Sequence, residues 1–284
     1  MNSSELLTWA RAWGANDVPF NPLVWIETPS WSRMQRHLEQ TAAFASVCLV
    51  SGPNGVGKSA SVGRWLWQLD ERLFAPIALT HASLSGCGLL SALTQKLGQA
   101  PCFRREGNLQ RFEKALDQLE RRRLVVVLDE AQHYSFNALE EIRLLLGLNL
   151  PSQPKFGLIL VGDDYLLDGL KLRHHRALYS RIGAHCPLEA WTMEQAQSWI
   201  QKAWTHVGLS SRAIEPAAIE LLTKASSGVP RSLQLLARAA WLNAAQAGTT
   251  QLGCEHVKLA LEQIPCVPGR DLTPQIGGNP GASA

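Results

Sequence analysis

The sequence predicts an α/β fold in which a mostly parallel sheet is covered by helices, followed by a small all-helical domain. Short apolar runs alternate with helical patterns between residues 46 and 188. That alternation is typical of a parallel sheet with helices on both faces. A glycine-rich loop follows the first apolar run directly, and from Thr192 onward helical patterns succeed one another with no strand signal between them.

Length and composition fit this architecture. The chain has 284 residues, of which 46% are hydrophobic and 18% charged, values that are ordinary for a folded soluble protein of one large or two modest domains. We expect an N-terminal helical segment over residues 1–45, an α/β domain over 46–188 and a helical lid over 189–265. The tail, 266–284, contains several prolines and glycines and is expected to be disordered.

The elements follow in order from the periodicity of the apolar residues. Helices are predicted at 3–13, with Ser3 or Ser4 as N-cap, and at about 31–43, with Ser30 as N-cap. Strands are predicted at 46–51, 76–80, 124–128, 156–161 and 184–188. The intervening helices are predicted from the glycine-rich loop to about 71, near 87–98, near 108–121 and near 136–147, and those of the lid at 192–206, 214–225, 230–246 and 254–263.

The glycine-rich loop matches a phosphate-binding P-loop, in which two glycines separated by four residues precede Lys58 and Ser59. Phosphates require backbone N–H groups close around them, and glycines allow that approach. Lys58 is expected to reach the β- and γ-phosphates of a nucleotide, and the Ser59 hydroxyl to bind Mg²⁺. The residues assigned to this nucleotide site are Gly52, Pro53, Asn54, Gly55, Val56, Gly57, Lys58, Ser59 and Ala60.

An acidic pair, Asp129 and Glu130, ends the apolar strand 124–128 and resembles a Walker B element. Asp129 is expected to hold Mg²⁺, and Glu130 to polarise the attacking water. Gln132 is a candidate for coupling the nucleotide state to a neighbouring surface. Asp163, after the strand 156–161, is a candidate nucleotide sensor, although an acid there would repel phosphate unless it orients water or Mg²⁺.

Two arginines are candidates for completing the site. Arg181 precedes the last strand and could act as an arginine finger in a neighbouring subunit, with a solvated arginine as the alternative. Arg231 follows Pro230 at a predicted helix start and could reach the γ-phosphate. Residues 24–26 (Val24, Trp25 and Ile26) could line an adenine pocket or simply pack on the sheet.

Net charge, cysteine spacing and the length of the apolar stretches restrict the classes of protein to which the chain can belong. A net charge of +3 permits nucleic-acid contact without requiring it. The six cysteines show no metal-binding spacing and several lie in apolar runs, so buried free thiols are expected rather than disulfides. The chain shows no signal peptide and no apolar stretch of the ~18 residues that span a membrane, which predicts a cytoplasmic protein with no membrane contact.

Taken together, these motifs resemble an AAA+ ATPase. The string Leu128–Gln132, the Leu160–Gly162 segment and Gly228–Arg231 are similar to the branch of the transposition ATPases TnsC and TniB, more distantly to MuB and IstB, and to the ATPase domain of ExeA. ExeA-type chains usually have Gln where Asp163 stands. The resemblance covers residues 20–265 and implies a P-loop NTPase core with a helical lid.

The resemblance implies an ATPase that oligomerises on duplex DNA as a ring or helical filament and recruits a transposase and target-selection proteins. Candidate sequence-independent DNA contacts are Arg104, Arg105 and Lys96, with ordinary solvated charges as the alternative. Two other functions stay open. One is an ExeA-like cytosolic ATPase that energises a protein assembly or secretion machine, and the other is an ATP-bound scaffold switch.

Overall fold

The computed structural model describes residues 2–22, 24–80, 84–148 and 154–264. The chain divides into two compact units, one formed by residues 28–189 and the other by residues 1–27 with 190–284. We call these the α/β unit and the helical unit. The predicted tail, residues 266–284, lies outside the described residues.

The α/β unit is built on a five-stranded parallel sheet with the strand order β2-β3-β4-β1-β5. Its strands are β1 Val47–Ser51, β2 Phe74–Leu79, β3 Arg123–Leu128, β4 Phe156–Val161 and β5 Ile182–Pro187. The three central strands, β3, β4 and β1, are buried along nearly their whole length, whereas the edge strands β2 and β5 alternate between buried and more exposed positions. Burial on both faces explains why the central strands are continuous apolar runs.

Helices cover this sheet, and the last five of those named next pack into one core with the strands. They are α2 Pro29–Phe44, α3 Lys58–Gln68, α4 Gly86–Lys96, α5 Arg105–Gln118, α6 Phe136–Leu145, α7 Asp164–Lys171 and α8 Arg176–Tyr179. The α/β architecture predicted from the sequence is confirmed. The two short helices α7 and α8 were not predicted.

The helical unit contains α1 Ser3–Ala12, α9 Met193–His206, α10 Pro216–Ser226, α11 Pro230–Gln246 and α12 Cys254–Gln263. Its core includes residues from the beginning of the chain. Phe20 is fully buried, and its ring centroid lies 6.0 Å from that of Trp199 and 5.5 Å from that of Trp204. Gln234 and Arg238 of α11 donate hydrogen bonds to the Phe20 carbonyl.

The predicted N-terminal segment, residues 1–45, is therefore divided between the two units. Residues 1–27 pack with the helical unit, and α2 packs with the α/β unit. Both predicted N-caps of this segment are wrong. Asn2 caps α1, because its side chain accepts from the N–H groups of Ser4 and Glu5, and Thr28 caps α2, because its hydroxyl accepts from the Trp31 N–H at 3.1 Å.

The five cysteines in the described residues are free thiols, as predicted. Only Cys48 and Cys186 are buried, and their sulfur atoms lie 3.8 Å apart between β1 and β5. Cys87 is exposed, so the expectation of burial holds only in part. None of the helices in the described ranges combines the length and the apolar character that a membrane-crossing helix needs.

The burial of Phe20 generates a stability prediction. Phe20→Ala is expected to lower the free energy of unfolding by about 3–5 kcal/mol, because the substitution removes a buried ring from between two tryptophans. Urea denaturation followed by circular dichroism measures the change. Phe44→Ala is the control, since Phe44 is 77% exposed. Equal unfolding midpoints for the two variants would show that residues 1–27 do not belong to the helical core.

Candidate functional site

The P-loop, Asp129, Glu130 and Asp163 meet at one edge of the sheet, where β1, β3 and β4 end. These three strands are neighbours and parallel. Their carboxyl ends therefore lie side by side, which is where ligands bind in sheets of this kind. The P-loop follows β1, Asp129 and Glu130 follow β3, and Asp163 lies one residue beyond Gly162 at the end of β4.

The P-loop backbone has the conformation that its glycines permit. Gly52, Gly55 and Gly57 have φ values of 147°, 87° and 97°, a region that side chains strongly disfavour. At Gly52 a Cβ atom would also lie 2.1 Å from the Leu188 carbonyl oxygen, whereas one at Gly57 would meet no atom within 4 Å. The loop is thus closely packed where it leaves β1 and open where helix α3 begins.

Lys58 is the first residue of α3 and is held by the loop itself. Its ammonium group donates to the Gly52 carbonyl at 2.7 Å and to the Pro53 carbonyl at 3.0 Å. Burial lowers the pKa of Lys58 below its usual value, and the nearby carboxylates of Glu130, Asp163, Asp164 and Asp129 oppose that shift. Asp164, the first residue of α7, was not among the predicted site residues, and its position directly after Asp163 is the signal that could have indicated it.

Ser59 and Asp129 lie in direct contact. The Ser59 hydroxyl donates to an Asp129 carboxylate oxygen at 3.0 Å, although the two residues are 70 positions apart. Hydroxyl and carboxylate oxygens are the ligands that Mg²⁺ prefers, usually with water and substrate phosphates completing the shell. The donor set therefore fits Mg²⁺. Within the described residues, no group of three or more His, Cys, Asp or Glu side chains could hold a metal alone.

Glu130 is connected to the end of β4 through Gln132. The Gln132 side chain donates from Nε2 to the Glu130 carboxylate at 2.7 Å and accepts at Oε1 from the Asp163 N–H at 3.3 Å. Glu130 itself has a left-handed backbone, with φ 51° and ψ 43°. The sequence indicated Gln132 only as a possible coupling residue. Its position two residues after Glu130 is the one signal that could have indicated this contact.

The Asp163 carboxylate has a local role that explains an acid at this position. It is the N-cap of α7, and its Oδ1 accepts from the Leu166 N–H at 3.1 Å. A capping aspartate also interacts favourably with the helix dipole. Asp163 thus stabilises the start of α7, in addition to any effect on a nearby phosphate. Its role as a nucleotide sensor stays a prediction.

Arg181 lies away from the P-loop of its own chain. It directly precedes β5, whose first residue, Ile182, pairs with Val47 at the start of β1, while Pro187 pairs with Ser51 at the end. The five residues of β1 span about 16 Å at the usual rise per residue. Arg181 is half-buried, and its guanidinium lies beside Gly147. A Cβ atom added at Gly147 would be 3.3 Å from that guanidinium. Arg181 thus lies at the amino-terminal ends of the strands, whereas Lys58 lies at their carboxyl-terminal ends.

The remaining nucleotide-site candidates belong to the helical unit. Arg231 is exposed at the second residue of α11, after Gly228, whose φ is 71°. The Val24 and Trp25 carbonyls accept hydrogen bonds from Trp199 and Lys202 of α9, and Ile26 lies in the helical core. Contact of these residues with nucleotide stays a prediction.

The three candidate DNA contacts differ in their surroundings. Arg104, the N-cap of α5, and Lys96, in the last turn of α4, are exposed. Arg105 forms an ion pair with Glu141 of α6, with 2.9 Å between Nε and Oε2, and the Glu141 side chain is buried. Its guanidinium is therefore engaged within the unit. Phe103, next to Arg104, is fully exposed.

Part of the chain is similar to a known protein family. Residues 43–170 match a family described as an AAA domain. This part of the chain is thus similar to an AAA domain, as the motifs indicated, and the similarity supports nucleotide binding.

Three relatives are of the kinds that the sequence resemblance named. General secretion pathway protein A of Aeromonas hydrophila is 26% identical over 221 residues, which are 76% of this chain and 40% of that protein. The Mu-like prophage FluMu DNA transposition protein B of Haemophilus influenzae is 27% identical, covering 61% of this chain and 63% of that protein. ATP-dependent target DNA activator B of Escherichia phage Mu is 25% identical, covering 78% and 70%. This chain spans less than two thirds of the first two relatives.

Solved structures confirm the fold. The chain is similar to the ORC2 protein of Aeropyrum pernix in its ADPNP–ADP complexes, with a TM-score of 0.66, 18% identity, and 89% of this chain and 71% of that chain covered. For the ORC1 protein of the same organism in complex with DNA, the TM-score is 0.66, the identity 18% and the coverage 86% and 66%. These two similarities show the fold alone, and the match of residues 43–170 to an AAA domain supports the expected ATPase activity.

Proposed function

We propose that this chain, whose residues 43–170 match an AAA domain, binds ATP and Mg²⁺ at residues 52–60, hydrolyses the ATP and regulates DNA transposition on duplex DNA. The observation that carries the proposal is the convergence of Lys58, Ser59, Asp129 and Glu130 at one sheet edge, with Ser59 and Asp129 in hydrogen-bonding contact. That convergence supplies a cation for phosphate, oxygen ligands for a metal and a carboxylate for proton abstraction.

Each of these residues has a distinct part in hydrolysis. The backbone N–H groups of the loop and the Lys58 ammonium bind the phosphates. Ser59 and Asp129 hold Mg²⁺, which when bound neutralises developing negative charge. Glu130 orients the attacking water and accepts its proton. Asp163 and, from the helical unit, Arg231 are proposed to sense the γ-phosphate.

Contact with duplex DNA is the second part of the proposal. The names of two relatives, a target DNA activator and a DNA transposition protein, support it, as does the similarity to a structure that contains DNA. Arg104 and Lys96 are the exposed basic residues that we assign to phosphate contacts, which bind without reading sequence. Arg105 is assigned a supporting part, because its ion pair with Glu141 fixes the start of α5.

Assembly into a ring or helical filament is the third part. Arg181 lies at the amino-terminal ends of the strands, away from Lys58 at their carboxyl-terminal ends. It can therefore complete only the site of another copy, in a head-to-tail contact between subunits. A transposase and target-selection proteins are the partners that such an assembly would recruit.

A second candidate function is supported by the secretion-pathway relative, whose match covers 76% of this chain. In that case the same ATPase site would energise a protein assembly, and DNA would leave the rate of hydrolysis unchanged. A chain that binds ATP with hardly any turnover would instead be a scaffold switch.

Glu130→Gln tests hydrolysis. We expect kcat for ATP to fall by about 10²–10⁴-fold, because the amide cannot accept the proton of water, while ATP binding is retained. Phosphate release and equilibrium binding of a fluorescent ATP analogue measure the two effects. Glu71→Gln, at an exposed glutamate, is the control. An unchanged rate in Glu130→Gln would favour the scaffold switch.

Arg104→Ala tests the DNA contact. Loss of one phosphate contact is expected to weaken binding equally for different duplex sequences and to reduce the slope of log affinity against log salt by about 1. Fluorescence anisotropy of labelled duplexes between low and physiological salt measures both effects. Arg33→Ala, at an exposed arginine on α2, should leave the slope unchanged. Equal slopes for Arg104→Ala and the unsubstituted chain would exclude this contact.

Mixing two inactive variants tests whether Arg181 acts on a neighbouring copy. Lys58→Ala and Arg181→Ala are each expected to hydrolyse ATP poorly. Mixed in equal amounts, they should regain about a quarter of the full rate, because one head-to-tail contact in four joins an intact loop to an intact arginine. The control mixes Lys58→Ala with Glu130→Gln, whose defects lie in the same site, and should recover nothing. No recovery in the first mixture would contradict the arginine's role.

A further inference from the structure

Gln132 forms a bridge between the catalytic carboxylate and the sheet. It lies in the short 3-10 turn Ala131–His133, directly after Glu130. Its side-chain nitrogen donates to Glu130 Oε2 at 2.7 Å, and its side-chain oxygen accepts from the backbone N–H of Asp163 at 3.3 Å. A glutamine thus connects the end of β3 with the end of β4 through its two polar atoms.

The backbone fixes the orientation of this amide. A peptide N–H can only donate a hydrogen bond, so the Gln132 oxygen must face Asp163. The NH₂ group is consequently directed at Glu130. A carboxylate in place of Gln132 would face that acid with a like charge, and an apolar side chain would lose both contacts.

The surrounding backbone makes room for the bridge. A Cβ atom at Gly162 would lie 2.7 Å from Gln132 Oε1 and 2.6 Å from a terminal carbon of Leu166, so any side chain there would displace the amide. Glu130 has a left-handed backbone, which costs about 1–2 kcal/mol for a residue with a side chain. Such conformations persist only where neighbouring contacts determine them.

We propose that Gln132 is a positioning residue that fixes the carboxylate of Glu130 for ATP hydrolysis, an inference that rests on the proposed function. Oε2 is occupied by the amide, which leaves Oε1 for the water. The water oxygen bonds to the γ-phosphorus as the bond from that phosphorus to the β–γ bridging oxygen breaks. The electron pair of the broken bond leaves with ADP, and the proton of the water passes to Glu130.

Gln132→Met removes both hydrogen bonds while keeping a side chain of similar length. We expect kcat to fall by about 10- to 100-fold, because the carboxylate is no longer held in one position. KM and ATP binding should change by less than about threefold, since the phosphates and the metal are held by other residues. The control is Gln35→Met on α2, which also breaks a glutamine-to-glutamate contact, with Glu39 at 3.1 Å, and should leave kcat unchanged.

A double-mutant cycle separates positioning from a general structural role. If Gln132 acts through Glu130, adding Gln132→Met to Glu130→Gln should cause no further loss of kcat. Gly162→Ala, which should displace the same amide, is expected to lower kcat in the same way and to show the same lack of additivity. If Gln132→Met lowers kcat by the same factor in the Glu130→Gln background as in the unsubstituted chain, the inference is overturned.

The outcomes distinguish this inference from the function on which it rests. If the unsubstituted chain hydrolyses ATP, Glu130→Gln does not and Gln132→Met keeps the full rate, the inference alone fails. If the unsubstituted chain binds ATP with Mg²⁺ but does not hydrolyse it, the proposed function fails and the inference fails with it. Thermal unfolding of each variant excludes loss of fold as the cause of a lowered rate.

Discussion

The parallel direction of β1, β3 and β4 is the constraint on which the site depends. Because the three strands run the same way and are neighbours, the segments after them meet at one edge of the sheet. The contact between Ser59 and Asp129 follows from this arrangement, and so does the bridge from Glu130 to the end of β4. Burial of the three strands on both faces makes the edge a rigid support for polar groups.

The sequence was sufficient where local pattern and chemistry coincide. The three central strands could be located to within a few residues from apolar runs, since burial on both faces leaves little room for polar side chains. The P-loop residues and Asp129 could be assigned to a site because their motifs specify both a backbone conformation and a chemistry. Gly52 is one example, because its φ of 147° and its closeness to Leu188 require a glycine.

Contacts between distant segments could not be predicted in the same way. Phe20 joins a helical core formed by residues about 180 positions later, so its packing has no local signal. The ion pair between Arg105 and Glu141 likewise depends on how α5 and α6 pack. The Asp163 carboxylate caps α7, an eight-residue helix that was not predicted, and an acid that seemed unfavourable beside phosphate therefore has a structural reason.

We propose that ATP turnover at this sheet edge is coupled to duplex DNA. Steady-state ATP hydrolysis with Mg²⁺, measured with and without duplex DNA of unrelated sequences, tests it most directly. We expect duplex DNA of any sequence to stimulate hydrolysis, and higher salt to return the rate to its DNA-free value, because the coupling depends on phosphate contacts. Hydrolysis at one rate with and without DNA would contradict the coupling and favour an ATPase that acts on protein partners.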